Sequence, residues 1–525
     1  MTISNQTWRH KLYWLVLLSV VIRGFLAASL ELGNDEVYYR LYALYPDWSH
    51  FDHPLMVGLV MQLFSFDLFF DSELFIRMSS VILGALNLFI VFDIGKKLKN
   101  SRTGFFAALL YTASIYSFVV TGIFILPDTP QQFFWLLSLR LMIIILPSCP
   151  NKKINGINML WLGVLIGLGI ISKYTSVFLW LGAGIYILLF NREWLKKKWL
   201  YLAVLLTFVI SLPILIWNIK NDFISFTFQT ERVGVAGYAL NINYLLTELF
   251  GELLYNNPIN YILIIISLFM LFKGKIGIEK SHIRIILFTS LPLILLFIGF
   301  SFFRATLPHW TAPGITSLIF IVAVWMDNIS EKKGGLTTPW PLKLSVLLLS
   351  IILMIGYAQI NYGVIKIDST TDYNKLGSGD PSLDLYGYEQ IGNEFALIVE
   401  RDRNNGSMKN NTFMCGNNWF PLANLDYYAA SPIGMKSYGI GNLDRTHKYA
   451  WINEINGGFE LGMDAYYITD SREFHEPYEY FSDYFETIET ADTIQIYRGG
   501  EIEKRAFVFR LKNLKEIPKN TLIKK

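Results

Sequence analysis

Charge is what this chain has little of. Only 17% of its 525 residues are Asp, Glu, Lys or Arg, whereas a soluble chain carries about a quarter. The charges nearly cancel to a net +3, too little to draw the chain to nucleic acid. Cysteine is scarcer still. Cys149 and Cys415 stand alone and offer no disulfide framework. No G-x-x-x-x-G-K-[ST] stretch occurs, which excludes a built-in P-loop ATPase. Any chemistry done by this chain therefore needs an already activated substrate. Internal repeats and low-complexity tracts are absent as well.

Apolar residues fill the space. The chain is 53% hydrophobic and 16% aromatic, with a mean hydropathy of +0.38. Long apolar runs recur from Leu12 to about Tyr362 and then stop. Candidate spans cover 12–30, 77–95, 103–121, 129–147, 157–172, 175–190, 198–217, 259–272, 284–301, 311–327 and 342–361. The first run exceeds the h-region of a secretory signal and is read as an uncleaved span. Arg9 and Lys11 before it favour a cytoplasmic N-terminus.

The loops sort by charge. Lys96, Lys97, Lys99 and Arg102, then Lys152 and Lys153, Arg192 and Lys196–Lys198, Lys273, Lys275 and Lys280, and Lys332 and Lys333 make basic loops, which stay cytoplasmic. Treating Pro54–Phe70 as interfacial rather than spanning puts every basic loop on one side. The expectation is a polytopic α-helical membrane protein of about eleven spans, N-terminus inside. Residues 1–362 form its transmembrane domain, with an outer loop at 31–76. From residue 363 the texture turns polar and rich in Asp, Asn, Gly and Tyr. This predicts an extracytoplasmic α/β domain at 363–525. Strands are expected at 395–399, 412–415 and 465–468, and helical spacing covers Glu389–Arg401.

The remaining loops, all outer, hold Asp35, Glu36, Asp52, His53, Asp128, Lys173, Arg232, Arg304 and His309. Ionisable groups near a membrane core are costly and tend to be functional. Asp35 or Glu36 is placed to take a proton from an acceptor hydroxyl or amine; equally, the two are solvated acids ending a helix. Lys173 lies between two apolar spans and needs either a path to water or an anion such as a lipid phosphate. Arg304 has the fork that suits phosphate. Asp128, ahead of Thr129-Pro130, also reads as a simple helix N-terminal charge. The mixed aromatic and polar loop Trp217–Arg232 suits a sugar face or an interfacial belt. His50, Asp52 and His53 match no strong metal motif, so no cofactor is assigned and a divalent metal stays an open expectation. Arg23 and Arg140, inside spans, read as packing or snorkelling residues.

Asp35-Glu36 after the first span, Phe51-Asp52-His53-Pro54, Pro127-Asp128-Thr129-Pro130, Ser172-Lys173-Tyr174, the Trp217–Arg232 loop and Pro308-His309-Trp310 form a pattern. The chain resembles the GT-C glycosyltransferases, in particular the dolichyl-phosphate-mannose–protein mannosyltransferase and lipid A aminoarabinose transferase family. The resemblance covers the first 360 residues or so. It implies a bundle of eleven to thirteen spans, a polyprenyl-phosphate sugar donor, and transfer with inversion to a lipid, glycan or protein acceptor. By this resemblance Asp35 matches the catalytic acidic position and Asp128 the second outer acid. Lys173 and the position of His53 match groups near the carrier phosphate. In the lipid A enzyme the latter position looks like a lysine, so His53 is a departure that leaves the local charge dependent on pH and the identity of the donor open. The closest likeness is to bacterial members, which implies an inner membrane with the site facing the periplasm. Two other classes compete: a flippase for polyprenyl-linked lipids, which would be expected to show repeats and midplane charges, and a non-catalytic assembly factor.

Overall fold

The computed structural model describes residues 2–234, 240–334, 337–367, 370 and 372–519. The chain divides into two compact units. Met1–Ala28 and Pro46–Ile352 form one; Ser29–Tyr45 and Leu353–Lys525 form the other. The acidic stretch of the first outer loop thus groups with the C-terminal region, while residues 46–76 stay with the helices.

The first unit is a helical bundle. Among the described residues, seven helices are long and apolar enough to cross a bilayer: Gln6–Ser29, Met78–Leu98, Lys153–Ile170, Lys198–Lys220, Lys280–Ser301, Pro308–Lys332 and Trp340–Tyr362. An eighth is added if Ile242–Tyr255 and Pro258–Phe272, bent by 103°, make one span. This is fewer than the eleven expected, for a physical reason. The stretches 103–121 and 175–190 fall on the 13-residue helices Ser101–Ala113 and Phe178–Phe190, short of the ~20 residues a crossing needs. The stretch 129–147 falls on Asp128–Ile145, diluted by Asp128, Gln131, Gln132 and Arg140. The Pro54–Phe70 run holds only the ten-residue helix Met56–Ser65.

Burial ranks the spans. Pro308–Lys332 is 83% buried and runs through the centre, while Lys198–Lys220 and Trp340–Tyr362 are only 22% and 17% buried. The last two present apolar side chains such as Phe208 and Met354 outward, as suits lipid. Lys153–Ile170 and Lys198–Lys220 touch backbone to backbone. A Cβ on Gly163 would lie 2.3 Å from the Ala203 carbonyl oxygen, so only glycine permits the approach.

Inward charges are paired or bonded. Arg23 is fully buried; its Nη2 donates to the Ser117 carbonyl at 3.1 Å and its guanidinium sits 4.5 Å over the Phe118 ring. It therefore packs inward rather than snorkelling. Arg140 pairs with Asp93 at 2.6 Å. Near the far end of the central helix, buried Asp327 takes Lys99 at 2.7 Å and also Arg102. One of the basic loops is thereby pinned to the bundle.

The second unit is a mixed sheet with helices. Its strands are β1 (Phe413–Gly416), β2 (Ser437–Gly439), β3 (Ala465–Asp470), β4 (Phe485–Arg498) and β5 (Glu501–Leu514), in the order β2-β1-β3-β5-β4. β1 runs parallel to β2 and β3; β5 is antiparallel to β3 and β4. The β4–β5 hairpin turns at Gly499-Gly500, both at positive φ. The expected strand at 395–399 is instead part of the helix Tyr388–Asn404. Ile391, Phe395, Ile398 and Val399 are all buried, and their spacing makes one helical stripe. Asp402 near its end accepts from Arg510 Nε at 2.6 Å and Nη2 at 2.7 Å, and from the Tyr466 hydroxyl at 3.0 Å. Burial alone would raise the Asp402 carboxyl; these donors outweigh it and hold it below the usual range.

Candidate functional site

In the first unit, two sequence-distant turns meet. Asp128 opens the helix Asp128–Ile145. Lys173 follows the helix Lys153–Ile170 in extended backbone, its N–H bonded to the Gly169 carbonyl at 2.9 Å. Gln131, one turn into the first helix, donates to Thr175 at 2.7 Å and Ser176 at 3.2 Å, which fixes the second turn against it. The result is a buried ion pair. Lys173 Nζ lies 2.7 Å from Asp128 Oδ2, with side chains 7% and 4% exposed. The Tyr116 hydroxyl donates to the other Asp128 oxygen at 3.1 Å. Lys173 therefore does not snorkel; it meets an anion inside the protein.

Beside this pair lies a cavity of about 330 Å³, its wall including His53, Lys173, Tyr174, Gln229, Arg232 and Trp310. That size is at the small end of ligand pockets. Arg232 is the last basic residue of the helix Ile224–Val233. Its guanidinium lies 5.4 Å from both the Phe228 and Trp310 rings, and among the described residues it has no carboxylate partner. The aromatic faces hold its fork by cation–π attraction and leave its donors for a ligand. Gln229 anchors the same helix by donating to the Asp52 carbonyl.

His53 lies in a loop outside the spans. Burial pushes its pKa down from 6.5 to about 4; Lys173 and Arg232 add to that, and Asp52 and Asp128 oppose it. It is neutral in this pocket at neutral pH. His309 sits 5.9 Å from the Tyr255 ring, within electrostatic reach of Lys173, Asp128, His53 and Arg232. Among the described residues no three His, Cys, Asp or Glu side chains gather as metal ligands.

Arg304 behaves differently from its expected role. Its Nη1 donates to the Glu231 and Gly234 carbonyls at 2.6 and 2.7 Å. It therefore caps the C-terminus of the helix that carries Arg232. Asp35 and Glu36 belong to the second unit, at the start of the helix Asn34–Leu44. Glu36 is buried and its Oε2 accepts the Gly33 N–H at 2.8 Å, the return half of a capping box. Asp35 is exposed in the same first turn.

Of the predicted residues, Asp128 and Lys173 bond directly, and His53 and Arg232 line one cavity with Lys173. His309 lies within reach, and Asp52 enters through its backbone. Sequence reasoning did not single out Tyr116, whose only signal is an aromatic hydroxyl in an apolar run. Nor did it mark Glu31, an acid at the very end of the first span.

Residues 52–217 match the family profile described as dolichyl-phosphate-mannose-protein mannosyltransferase. A lipid A galacturonosyltransferase, RgtD, from Rhizobium johnstonii is 20% identical over 277 residues, 52% of this chain and 54% of that protein. The chain thus spans about half the length of this relative. The fold is that of ArnT from Cupriavidus metallidurans. Its apo structure aligns with a TM-score of 0.61 at 14% identity over 96% of this chain and 98% of that one. Its structure bound to undecaprenyl phosphate gives 0.62 at 14% over 95% and 97%. The resemblance drawn from the sequence motifs is therefore found again by profile and by fold. The protein is an integral membrane protein resembling GT-C glycosyltransferases.

Proposed function

Since the chain shares its fold with a protein that has been solved with undecaprenyl phosphate, we propose that it transfers a sugar from a polyprenyl-phosphate carrier to a lipid, glycan or protein acceptor. The observation that carries this reading is the cavity where Arg232, without a carboxylate partner among the described residues, lies beside the buried Asp128–Lys173 pair. Such a site suits a phosphate at the membrane surface.

The reaction needs few parts. Asp35 takes the proton of the acceptor hydroxyl or amine as that atom bonds to the sugar's anomeric carbon. The bond from this carbon to the phosphate oxygen breaks on the opposite face, inverting the centre. The carrier leaves as a phosphate monoester, and Arg232 and Lys173 stabilise the charge it gains. No acid need protonate it, because phosphate is a good leaving group. The exposure of Asp35, with Glu36 committed to capping the same helix, supports Asp35 as the base. The basic loops, among them the one pinned to Asp327, support a cytoplasmic face there and a periplasmic site in a bacterial inner membrane.

The test is transfer by purified protein from a panel of polyprenyl-phosphate sugars to native membrane extract. Wild type should label an acceptor, while Asp35→Asn should fold and bind donor without transferring. Normal turnover by Asp35→Asn would remove it as the base. No transfer from any donor, together with donor lipid crossing liposomes, would replace the reading with a flippase.

A further inference from the structure

The second unit is assembled from two stretches of chain far apart in sequence, Ser29–Tyr45 and Leu353–Lys525. The bonds between them are concentrated around Asp35. Four positions before it, the Glu31 carboxylate accepts three backbone N–H groups at once. Oε1 takes Gly387 at 3.0 Å and Glu389 at 3.3 Å, and Oε2 takes Tyr388 at 2.8 Å. These are the first N–H groups of the helix Tyr388–Asn404, which begins at Gly387 with a φ of 96°. A helix leaves these donors without partners of its own, and its dipole favours a negative charge there. Glu31 supplies that charge from more than 350 residues away. One residue on, the Leu32 N–H donates to the Tyr428 hydroxyl at 2.6 Å.

After Asp35 the grip continues. The Tyr38 ring lies 4.9 Å from Trp419 and 5.8 Å from His447, and its hydroxyl accepts the Lys448 N–H at 3.4 Å. The Arg40 guanidinium lies 4.9 Å over the Tyr427 ring. Asp35 is thus an exposed group on a short helix whose two flanks are both fastened to the C-terminal domain. Burial raises the Glu31 carboxyl above its usual range, and the backbone donors and Lys504 only partly offset it; the three N–H bonds, rather than its charge alone, fasten it to the helix.

We propose that the C-terminal domain holds the reacting acid in place, with Glu31 as the principal positioning residue for Asp35. This rests on the reading of Asp35 as the base. A catalytic group displaced by ~1 Å can lose about a hundredfold in rate, so a clasp this close to Asp35 governs turnover without touching substrate.

The experiment uses the full-length protein in detergent and the transfer assay above. Glu31→Gln keeps the size of the side chain and loses its charge. It should lower kcat about tenfold or more, leave donor affinity within about twofold of wild type, and be partly rescued by Glu31→Asp. Tyr428→Phe, which removes one hydroxyl and keeps the ring, should show the same pattern more mildly and serves if Glu31→Gln fails to fold. Wild-type kcat in both variants, with Asp35→Asn inactive, would overturn the positioning role alone. So would a fall in donor affinity that matches the fall in kcat. Full activity in Asp35→Asn itself would overturn the base assignment and this inference with it.

Discussion

Removing the negative member of the buried pair separates a phosphate site from a structural one. Asp128→Asn leaves the Lys173 ammonium, only 7% exposed, facing a neutral amide. It also turns the acceptor of the Tyr116 hydroxyl into a weaker one. Losing one partner of a buried pair costs about 3–5 kcal/mol, so the variant should melt well below wild type in detergent. An anionic lipid bound at Lys173 supplies the missing charge. At a hundred times its Kd such a ligand stabilises wild type by about 2.7 kcal/mol. In the variant Lys173 is no longer neutralised from within, so affinity for the lipid phosphate should rise. A tenfold gain brings the stabilisation at the same lipid concentration to about 4.1 kcal/mol, which narrows the gap to wild type by about 1.4 kcal/mol. The assay is thermal unfolding with and without polyprenyl phosphate, run beside Lys173→Met. The lipid should raise the melting temperature most in Asp128→Asn, less in wild type and least in Lys173→Met. Equal shifts in all three would refute the assignment of Lys173 to the phosphate and leave the pair a purely structural contact.

Arg304→Ala should loosen the end of the helix carrying Arg232, raising the donor KM several-fold with little change in kcat; a fall in kcat alone would argue against the capping role. Because burial holds His53 near a pKa of about 4, a bound phosphate should draw a proton onto it. Donor affinity should then rise as pH falls from 7 toward 5, by up to about tenfold per unit that its pKa is raised, and His53→Gln should flatten that profile. In the empty protein the same group works in the opposite sense: its neutral form is favoured by folding, so stability is greatest above pH 6.5 and falls as pH drops toward 4. Asp402, held below the usual carboxylate range, contributes stability above its unfolded pKa that is lost as acid protonates it. Asp402→Asn should therefore lower the melting temperature at pH 7 and bring variant and wild type together in strong acid.

What could be read from the sequence follows from which forces are local. Lys173 and Asp128 stood out because a charge between apolar runs always demands an explanation. Their pairing did not, since 45 residues separate them and only the packing of two helix ends brings them together. Arg304 looked like a phosphate fork because its side-chain chemistry is visible. The open carbonyls of Glu231 and Gly234 that it satisfies are a property of a helix end, which spacing locates poorly. The two acids after the first span came out as different residues for a local reason: the third helical position of Glu36 suits a cap, and the second position of Asp35 leaves it outward. Hydropathy locates apolar runs but not where they break into helices as short as Ser101–Ala113 and Phe178–Phe190. The 14-residue strands β4 and β5 were missed, although Ile494 and Ile496 alternate with polar neighbours and Gly499-Gly500 marks the turn.

The clasp on the acidic helix also sets a clock. The backbone that Glu31 seizes is synthesised 356 residues after Glu31 itself. At about 5–20 residues per second, the interval is roughly 20–70 s. For that time Val37, Tyr38, Leu41 and Tyr42, buried in the finished protein, have no surface to fold against. A nascent chain stopped anywhere before the last domain carries its acid on an unsecured helix. Competence therefore waits for Gly387–Glu389 and the sheet behind them to close on Glu31.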